Sequence, residues 1–564
     1  AEDFHDPFLL PDMDKAVQRI HAALENGERI CIFGDYDVDG ICSTAMLVDY
    51  FHSVGADVGY HIPSRREEGY GMSRGAIDKL HSCGVNLIIT VDNGISAADE
   101  ISYCSELGID VIVTDHHIPP ETVPKCTAVV CHTVSNSQYP NSILCGAGIA
   151  FKLLHALAGL EAAMQYVSLA GLASVADVVP LLDENRVFVK LGLDAINSGN
   201  CCNGLYRLLN GVPTARRPYN ACTLGFAVAP RLNASGRMSD ASLGVELFLC
   251  RDPNRADEII ARLNKLNELR QQDEANILND AIRRLEPCDL SDTRAIVLRS
   301  ETWNAGVIGI AASRIAEMYH RPTILFSESD GILKGSARSI DGVNIHEVLC
   351  CCREFFVRFG GHAKAAGITM ESAFFEDFRF KLNACLKAGY DDSVFIPCKR
   401  YEFDIPLEQV TKELIAELTR LAPFGESNPS PVFRSRHVAV SRLRRFGSDA
   451  QHTKMDVSPS ISSSAAPLDA VWFASAASYY RLLNADTVDI LYTPGINNWN
   501  GFDSIQLRVV SAKAEQPRDI DAYIEKGMRY FCNGLLENLS YRLSEPEQLP
   551  EICETTLAEL CSRS

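Results

Sequence analysis

Short apolar runs alternate with longer segments of helical spacing through the first 200 residues. The runs lie at 29–33, 57–62, 86–91, 110–114 and 127–131, and they are nearly continuous rather than alternating. That is the pattern of strands buried on both faces. Helical segments, among them Ile41–Val54 and Gly148–Leu157, lie between and after them. The alternation predicts an α/β fold with a doubly wound parallel sheet. Residues 255–285 carry no Gly or Pro and stand between Pro253 and Pro287. Apolar residues recur there at Ile259, Leu263 and Leu266, then at Leu278, Ile282 and Leu285. This predicts one helix about 45 Å long at 1.5 Å per residue. Its middle, Asn267–Asn276, is polar all round apart from Leu269 and Ala275. The pattern leaves a solvent-crossing bridge between domains and a surface helix equally open.

The texture changes twice more. Ala295–Leu298 and Thr323–Phe326 read as strands, Gly306–Tyr319 as a helix, and Gly360-Gly361-His362 as a tight turn. Beyond 396 short strands dominate, at Ala439–Leu443, Ala470–Phe473, Val488–Tyr492 and Ile505–Val510, a spacing that suits a small barrel. The expected division is an α/β domain over 1–200 and a helical linker over 201–293. A second α/β domain follows over 294–395, then a β-barrel domain over 396–515 and a helical tail over 516–564. A chain of 564 residues is too long for one core, which agrees.

Composition excludes several classes. No apolar run approaches the roughly 20 residues of a membrane span. The polar start, Ala1 to Pro7, does not read as a signal peptide, and the missing initiator Met points to a trimmed or partial chain. The 20 Cys do not read as a disulfide framework, since Cys31, Cys145 and Cys385 sit in apolar runs. Cys350-Cys351-Cys352 lacks a second spaced pair, which favours helix packing over zinc. A reducing cytoplasm is expected. The net charge of −20 argues against a protein that coats nucleic acid, but it permits a local basic groove.

Three of the apolar runs lead directly into acids or histidine. They precede Asp35-Tyr36-Asp37-Val38-Asp39-Gly40, Asp92-Asn93-Gly94 and Asp115-His116-His117. Strand ends of a parallel sheet meet in one crevice. Five carboxylates and two imidazoles gathered there would repel one another unless positive charge sat among them, and a pair of divalent cations is the simplest source. On an extended segment Asp35, Asp37 and Asp39 would share a face, with Gly40 turning the chain into a helix. A calcium loop would need Glu where Met46 stands. Asp92 alone reads equally well as a helix cap. Of the adjacent histidines, one can ligate while the other reaches a phosphate or a water, and Asp115 can fix a tautomer. Asp177, in the apolar stretch Ser174–Pro180, needs a partner, either a metal or a buried cap.

These motifs together resemble the DHH phosphoesterase superfamily, named for the third of them. Phe359-Gly360-Gly361-His362 resembles the signature of its DHH-associated second domain. Further matches are Glu68–Met72, Leu232–Arg237, Gly306–Ile310 and Leu421–Gly425. The set points to the branch of bacterial exonucleases that degrade single-stranded DNA 5′→3′, over nearly the whole chain to about residue 515. The resemblance implies a DHH domain, a long connecting helix, the DHH-associated domain and an oligonucleotide-binding barrel around a central hole.

It implies Mn²⁺ or Mg²⁺, two per active site, held by Asp37, Asp39, Asp92, His116 and Asp177. Asp35, Asp115 and His117 would support them, with Asp92 bridging. Asp35, Asp92, His117 and His362 form the expected catalytic set. Arg65, Tyr70, Arg237, Ser336, Arg338, Ser339, Gly360, Gly361 and His362 are the expected phosphate and DNA contacts, carried partly on small-residue turns at 334–339 and 360–362. Asn304 stands where the family pattern leads us to expect His. In the barrel region, Arg442–Phe446 with Tyr492, Trp499 and Phe502 would form a stacking groove, and Trp472 reads as core. The implied product is 5′-mononucleotides, by two-metal hydrolysis in DNA recombination and repair. The implied partners are a single-strand-binding protein and a RecQ-type helicase, around a cytoplasmic monomer. Smaller DHH enzymes acting on short oligonucleotides lack the barrel. Non-catalytic relatives have lost metal ligands, and every expected ligand is present here.

Overall fold

The computed structural model describes residues 3–514, apart from 65–67, 69–70, 214–216, 448–449, 462, 464, 476–477, 480–481, 483–484, 486 and 500–501. Arg65, Tyr70 and the expected helical tail therefore lie outside the described residues. The chain forms two compact units. One holds residues 1–398 with 423–429, and the other holds 399–422 with the chain from 430 onward.

The first unit opens with five parallel strands: β1 (Ile30–Phe33), β2 (Val58–His61), β3 (Leu87–Val91), β4 (Asp110–Thr114) and β5 (Ala128–Val130). Their order is β2-β1-β3-β4-β5. Ile30, Ile32, Leu87, Ile89 and Ile112 face one apolar cluster. Cys31, Phe33, Ile88, Val111 and Val113 face another. Both faces of β1, β3 and β4 are therefore covered, which is why these strands read as unbroken apolar runs, whereas the edge strand β2 is only partly buried. The order reverses between β1 and β3, and this is where a parallel sheet opens a crevice at its carboxyl ends.

The long helix spans Pro253–Leu285, about 50 Å at 1.5 Å per residue. Its first half (Ala256, Ile259, Leu263) packs into the core of the first sheet. Its second half (Ile277, Ala281, Leu285) packs with Ile296, Trp303 and Ile315. Much of the waist is solvent-exposed, at Glu268, Leu269, Gln271, Gln272, Ala275 and Asn276, while one patch turns inward. Asn267 and Arg270 are buried, and Arg270 donates to Glu274 Oε2 at 2.6 Å and to Asn267 Oδ1 at 3.2 Å. The polar stretch therefore combines a solvated face with one internally paired patch.

The second sheet has five strands: β6 (Ile296–Ser300), β7 (Thr323–Ser329), β8 (Ile332–Arg338), β9 (Phe356–Gly361) and β10 (Ala365–Glu371), in the order β6-β7-β8-β10-β9. Two expected turns are strands. Lys334–Arg338 lies within β8, where Gly335 faces Phe326 of β7. A Cβ on Gly335 would sit 2.3 Å from that ring. The small residue serves cross-strand packing rather than a bend. Gly360 and Gly361 end β9 opposite Gly367 and Ala366, and the turn comes only after them.

The second unit is a barrel. Strands β12 (Phe433–Phe446), β13 (His452–Ser458), β14 (Leu468–Trp472), β15 (Thr487–Trp499) and β16 (Phe502–Ala514) close through a β12–β15 pairing, and β11 (Phe403–Asp404) is appended to β12. The strands run well beyond the apolar runs that predict them. No apolar run marks β13, because only Thr453, Met455 and Val457 alternate inward. Tyr492 is core, fully buried with its hydroxyl 2.9 Å from Ser435 Oγ, so it cannot stack on a base. Trp472 is partly buried against that core.

Candidate functional site

The acidic triplet gathers differently from its sequence-based reading. β1 ends at Phe33, and Asp37 is already the N-cap of the helix Val38–Ser53. Its Oδ1 accepts from Asp39 N at 3.0 Å and Gly40 N at 3.2 Å. Asp39 lies in the first helical turn, so a helix start rather than an extended face brings the acids together. Gly40 is inside that helix. A Cβ there would lie 2.5 Å from the backbone N and O of Asp35, so glycine is what lets the Asp35 backbone approach.

Asp92 follows β3 in a left-handed conformation, φ 61°, with its side chain almost fully buried. A non-glycine residue held this way beside clustered charge marks a constrained site. Asp39 is fixed from the far side. Its Oδ2 accepts from Gly146 N at 2.6 Å and its Oδ1 from Ala147 N at 2.7 Å, at the start of the helix Gly146–Ala158. Asp177 caps the carboxyl end of the helix Val167–Ala176.

His116 Nε2 completes the cluster, 3.0 Å from Asp92 Oδ1, 3.7 Å from Asp39 Oδ2 and 3.9 Å from Asp177 Oδ2. Asp115 works behind it. Its Oδ1 accepts from the His116 and His117 amides at 2.7 and 3.1 Å and lies 2.7 Å from His117 Nδ1, while its Oδ2 accepts from Ile95 N at 2.9 Å. Asp115 therefore orients the loop and one imidazole.

Burial drives the electrostatics. It raises Asp39 to about 7, with Asp37 adding to the effect and the two amide hydrogen bonds opposing it. Burial and the neighbouring carboxylates hold Asp92 and Asp177 well above the usual carboxylate range. Burial lowers His116 to about 3, leaving the neutral imidazole that a metal ligand requires. Burial would also lower His117, but its hydrogen bond to Asp115 and the charge there outweigh it and raise it to about 9. Burial alone would raise Asp115, yet the same contact holds it below the usual carboxylate range.

At this site three of the ligand groups among the described residues have donor atoms within 4.8 Å of one another: Asp35, Asp37 and Asp92; Asp39, His116 and Asp177; and Asp92, His116 and His117. Asp35 thus stands among the potential ligands rather than behind them. Asp92 belongs to two of the groups. Oxygen donors with an imidazole suit Mn²⁺ and Mg²⁺. The cradle is close: a Cβ on Gly146 would lie 2.7 Å from Asp92 Cβ and 3.0 Å from Asp39 Oδ2. The residues present fit a pair of divalent cations.

The same unit carries a cationic cleft of about 550 Å³, lined by Arg237, Lys334, Ser336, Arg338, Gly309 and Gly361 among others. Arg338 Nη1 donates to Ser336 Oγ at 2.9 Å, and Arg237 Nη1 donates to Gly306 O at 3.0 Å. The helix Ile308–Tyr319 begins at this cleft, and a Cβ on Gly309 would meet Arg338 Nη2 at 2.8 Å. Amide donors and three cations make an anion site. Lys334 comes from the expected 334–339 segment, whereas Gly309 is an addition, and the glycines of Gly306–Ile310 are the sequence signal that could have found it.

Asn304 also lines the cleft. Its Nδ2 donates to Asp273 Oδ2 at 2.9 Å and its Oδ1 accepts from Gly306 N at 3.0 Å, so it ties the long helix to the Gly306 turn. Three expected contacts are not brought to the cleft. Ser339 Oγ donates to Val343 O and its amide to Lys364 O, both within the fold. Gly360 and His362 are exposed beyond the cleft lining, because β9 carries them past it.

Comparison with known proteins places this arrangement. The DHH family N-terminal domain matches residues 29–176, the DHHA1 domain 292–388 and the RecJ OB domain 401–511. The chain is 37% identical to the single-stranded-DNA-specific exonuclease RecJ of Bacillus subtilis, over 91% of this chain and 65% of that protein. It is 33% identical to the RecJ of Haemophilus influenzae, over 89% of this chain and 91% of that protein. The crystal structure of RecJ in complex with Mn²⁺ from Thermus thermophilus superposes with a TM-score of 0.76 at 31% identity, over 90% of this chain and 72% of that one. The Mg²⁺ complex from the same source gives 0.71 at 30% identity, over 90% and 71%. The chain thus spans about two thirds of its Bacillus relative and nine tenths of its Haemophilus relative. On its fold, its ligand groups and these likenesses, the chain belongs to the RecJ family of DHH phosphoesterases.

Proposed function

We propose that this protein is a metal-dependent exonuclease that degrades single-stranded DNA 5′→3′ to 5′-mononucleotides, in DNA recombination and repair. The observation that carries the reading is Asp92 shared between two ligand groups in the unit that also holds the cationic cleft. Asp35, Asp37, Asp39, Asp92, His116 and Asp177 are the residues that would hold Mn²⁺ or Mg²⁺. Bound there, such cations supply an acidified water and charge neutralisation at phosphoryl oxygens.

The protein's own groups do the rest. Asp115 holds His117 at Nδ1 and favours its protonated form, so the imidazolium can pass a proton to the departing oxygen. Arg237, Lys334, Arg338 and the Ile308 helix start bind a phosphate. A cleft that accepts a terminal phosphate would set the polarity and restrict cleavage to one end. The barrel, matched by the RecJ OB domain, supplies a surface for the strand beyond. The described cysteines are free thiols, which suits the cytoplasm. A monomer working with a single-strand-binding protein and a RecQ-type helicase completes the reading.

The test is digestion of a long single strand labelled at either end, with Mn²⁺ and with chelator. Immediate, metal-dependent release of labelled mononucleotide from the 5′ end alone is expected. Binding without cleavage under every metal would turn the reading to a scaffold. Cleavage confined to the shortest oligomers would turn it to a smaller-substrate DHH enzyme.

A further inference from the structure

A groove of about 290 Å³ runs beside Asp177, walled by Val175, Val178, Leu181, Phe226 and Phe424. Three features of it call for a ligand. Phe226 is 83% exposed, an expensive place for a phenyl ring. It sits on a π-helical turn, Leu224–Val228, and such turns are found mostly as single interruptions at functional positions. Val178 has φ 58° and is 63% exposed, although β-branched residues strongly disfavour that backbone region.

The wall is built and not incidental. Leu181 N donates to Glu426 O at 2.8 Å, and a Cβ on Gly425 would lie 2.6 Å from Leu181 Cδ1. The loop 423–429 is therefore clamped onto the segment that follows Asp177. Ala176 and Val178, the neighbours of Asp177 on either side, both line the groove. Asp177 between them turns to the ligand cluster, its Oδ2 3.9 Å from His116 Nε2, so the groove and the cluster share one stretch of backbone.

We propose that this groove is a base-binding subsite, in which the nucleobase next to the scissile phosphate stacks on Phe226. The inference rests on the exonuclease reading above. Among the described residues its lining has no Lys or Arg, and Glu426 would repel a phosphate, so a neutral group fits and the backbone of the strand does not. A base is flat, apolar on its faces and bears edge N–H groups that can donate to Glu426. The volume lies at the bottom of the usual range for ligand pockets, roughly 300 Å³, which suits one base better than a peptide segment. Stacking on one ring also tolerates every base, as a non-specific exonuclease needs.

The experiment uses the full chain with Phe226→Ala, Phe226→Leu and Phe226→Trp. Single strands carry 2-aminopurine at successive positions from the 5′ end, bound in chelator and then cleaved with Mn²⁺. We expect quenching at one position in the wild type and in the Trp variant, lost in the Ala and Leu variants. KM should rise about tenfold in the Ala and Leu variants and recover with Trp, while kcat changes less. The Leu variant keeps the packing volume should the Ala variant unfold. Unchanged KM and unchanged quenching would overturn the subsite and leave the exonuclease standing. Unchanged KM with an altered oligomeric state would also overturn it, giving the groove to a second copy of the chain. A wild type that cleaves no single strand would sink the exonuclease reading and the subsite with it.

Discussion

At the residue scale, Asp92 decides the site. Its carboxylate lies in reach of Asp35 and Asp37 on one side and of His116 and His117 on the other. Its left-handed backbone is also tolerable for Asn, whose short polar side chain visits that region. Asp92→Asn should therefore fold, bind single strands in chelator as the wild type does, and lose cleavage by about a thousandfold or more. Near-normal turnover would exclude Asp92 as a shared ligand. Asp115 is a different case. It touches His117 and three backbone amides, and none of the ligand groups found among the described residues includes it. Asp115→Asn should cost about 10- to 100-fold, the usual loss when an orienting partner of a ligand is removed. Its pH–rate profile should shift on the alkaline side, because the contact that raises His117 to about 9 is weakened. A merely structural role would lower the rate without moving the profile.

At the element scale, two helix starts, one helix end and three strand ends build one cluster, and helix packing sets the tolerance. Gly146→Ala places a methyl 2.7 Å from Asp92 Cβ. The change should cost about 1–3 kcal/mol of stability by overpacking and should impair cleavage far more than binding in chelator. Thermal unfolding together with single-turnover cleavage would check both halves. Wild-type turnover would mean that the cradle relaxes. The strands β1, β3 and β4 are legible in the sequence because burial on both faces leaves unbroken apolar runs. The residue types of the site are legible for the same reason, since a charged group placed directly against such a run stands at the mouth of a buried crevice and needs a partner there. What is not legible is any feature fixed by contacts across the fold. Gly40 reads as a turn, yet its purpose is the approach of Asp35. Gly335 reads as a phosphate turn, yet it makes room for Phe326. Ser339 and His362 sit in the right motif, but hydrogen bonds and strand direction carry them elsewhere. Glycine in a motif says that space is short without saying which atom needs it.

At the scale of the whole molecule, the ligand cluster is a source of pH-dependent instability that cations relieve. Asp39 has its pKa raised from 3.8 to about 7, so between those values the folded chain holds a proton that the unfolded chain has released. Stability from this group is therefore full below about pH 4 and is lost as pH rises through about 7. Asp92 and Asp177, also raised well above the usual carboxylate range, add to the loss in the same direction. His117, raised from 6.5 to about 9, works in the same direction, being fully stabilising below about 6.5 and lost as pH rises through about 9. Metal-free protein should thus lose stability steadily from about pH 4 to about pH 9. Cation binding replaces those protons, so its affinity should climb over the same interval. At a hundredfold excess over Kd, Mn²⁺ would add about 2.7 kcal/mol. The measurement is the increase in Tm on adding Mn²⁺ to the chelated protein at each pH. The increment should grow across that interval in the wild type and collapse in Asp92→Asn. An increment independent of pH, or one preserved without Asp92, would mean that the cations bind elsewhere on this acidic chain.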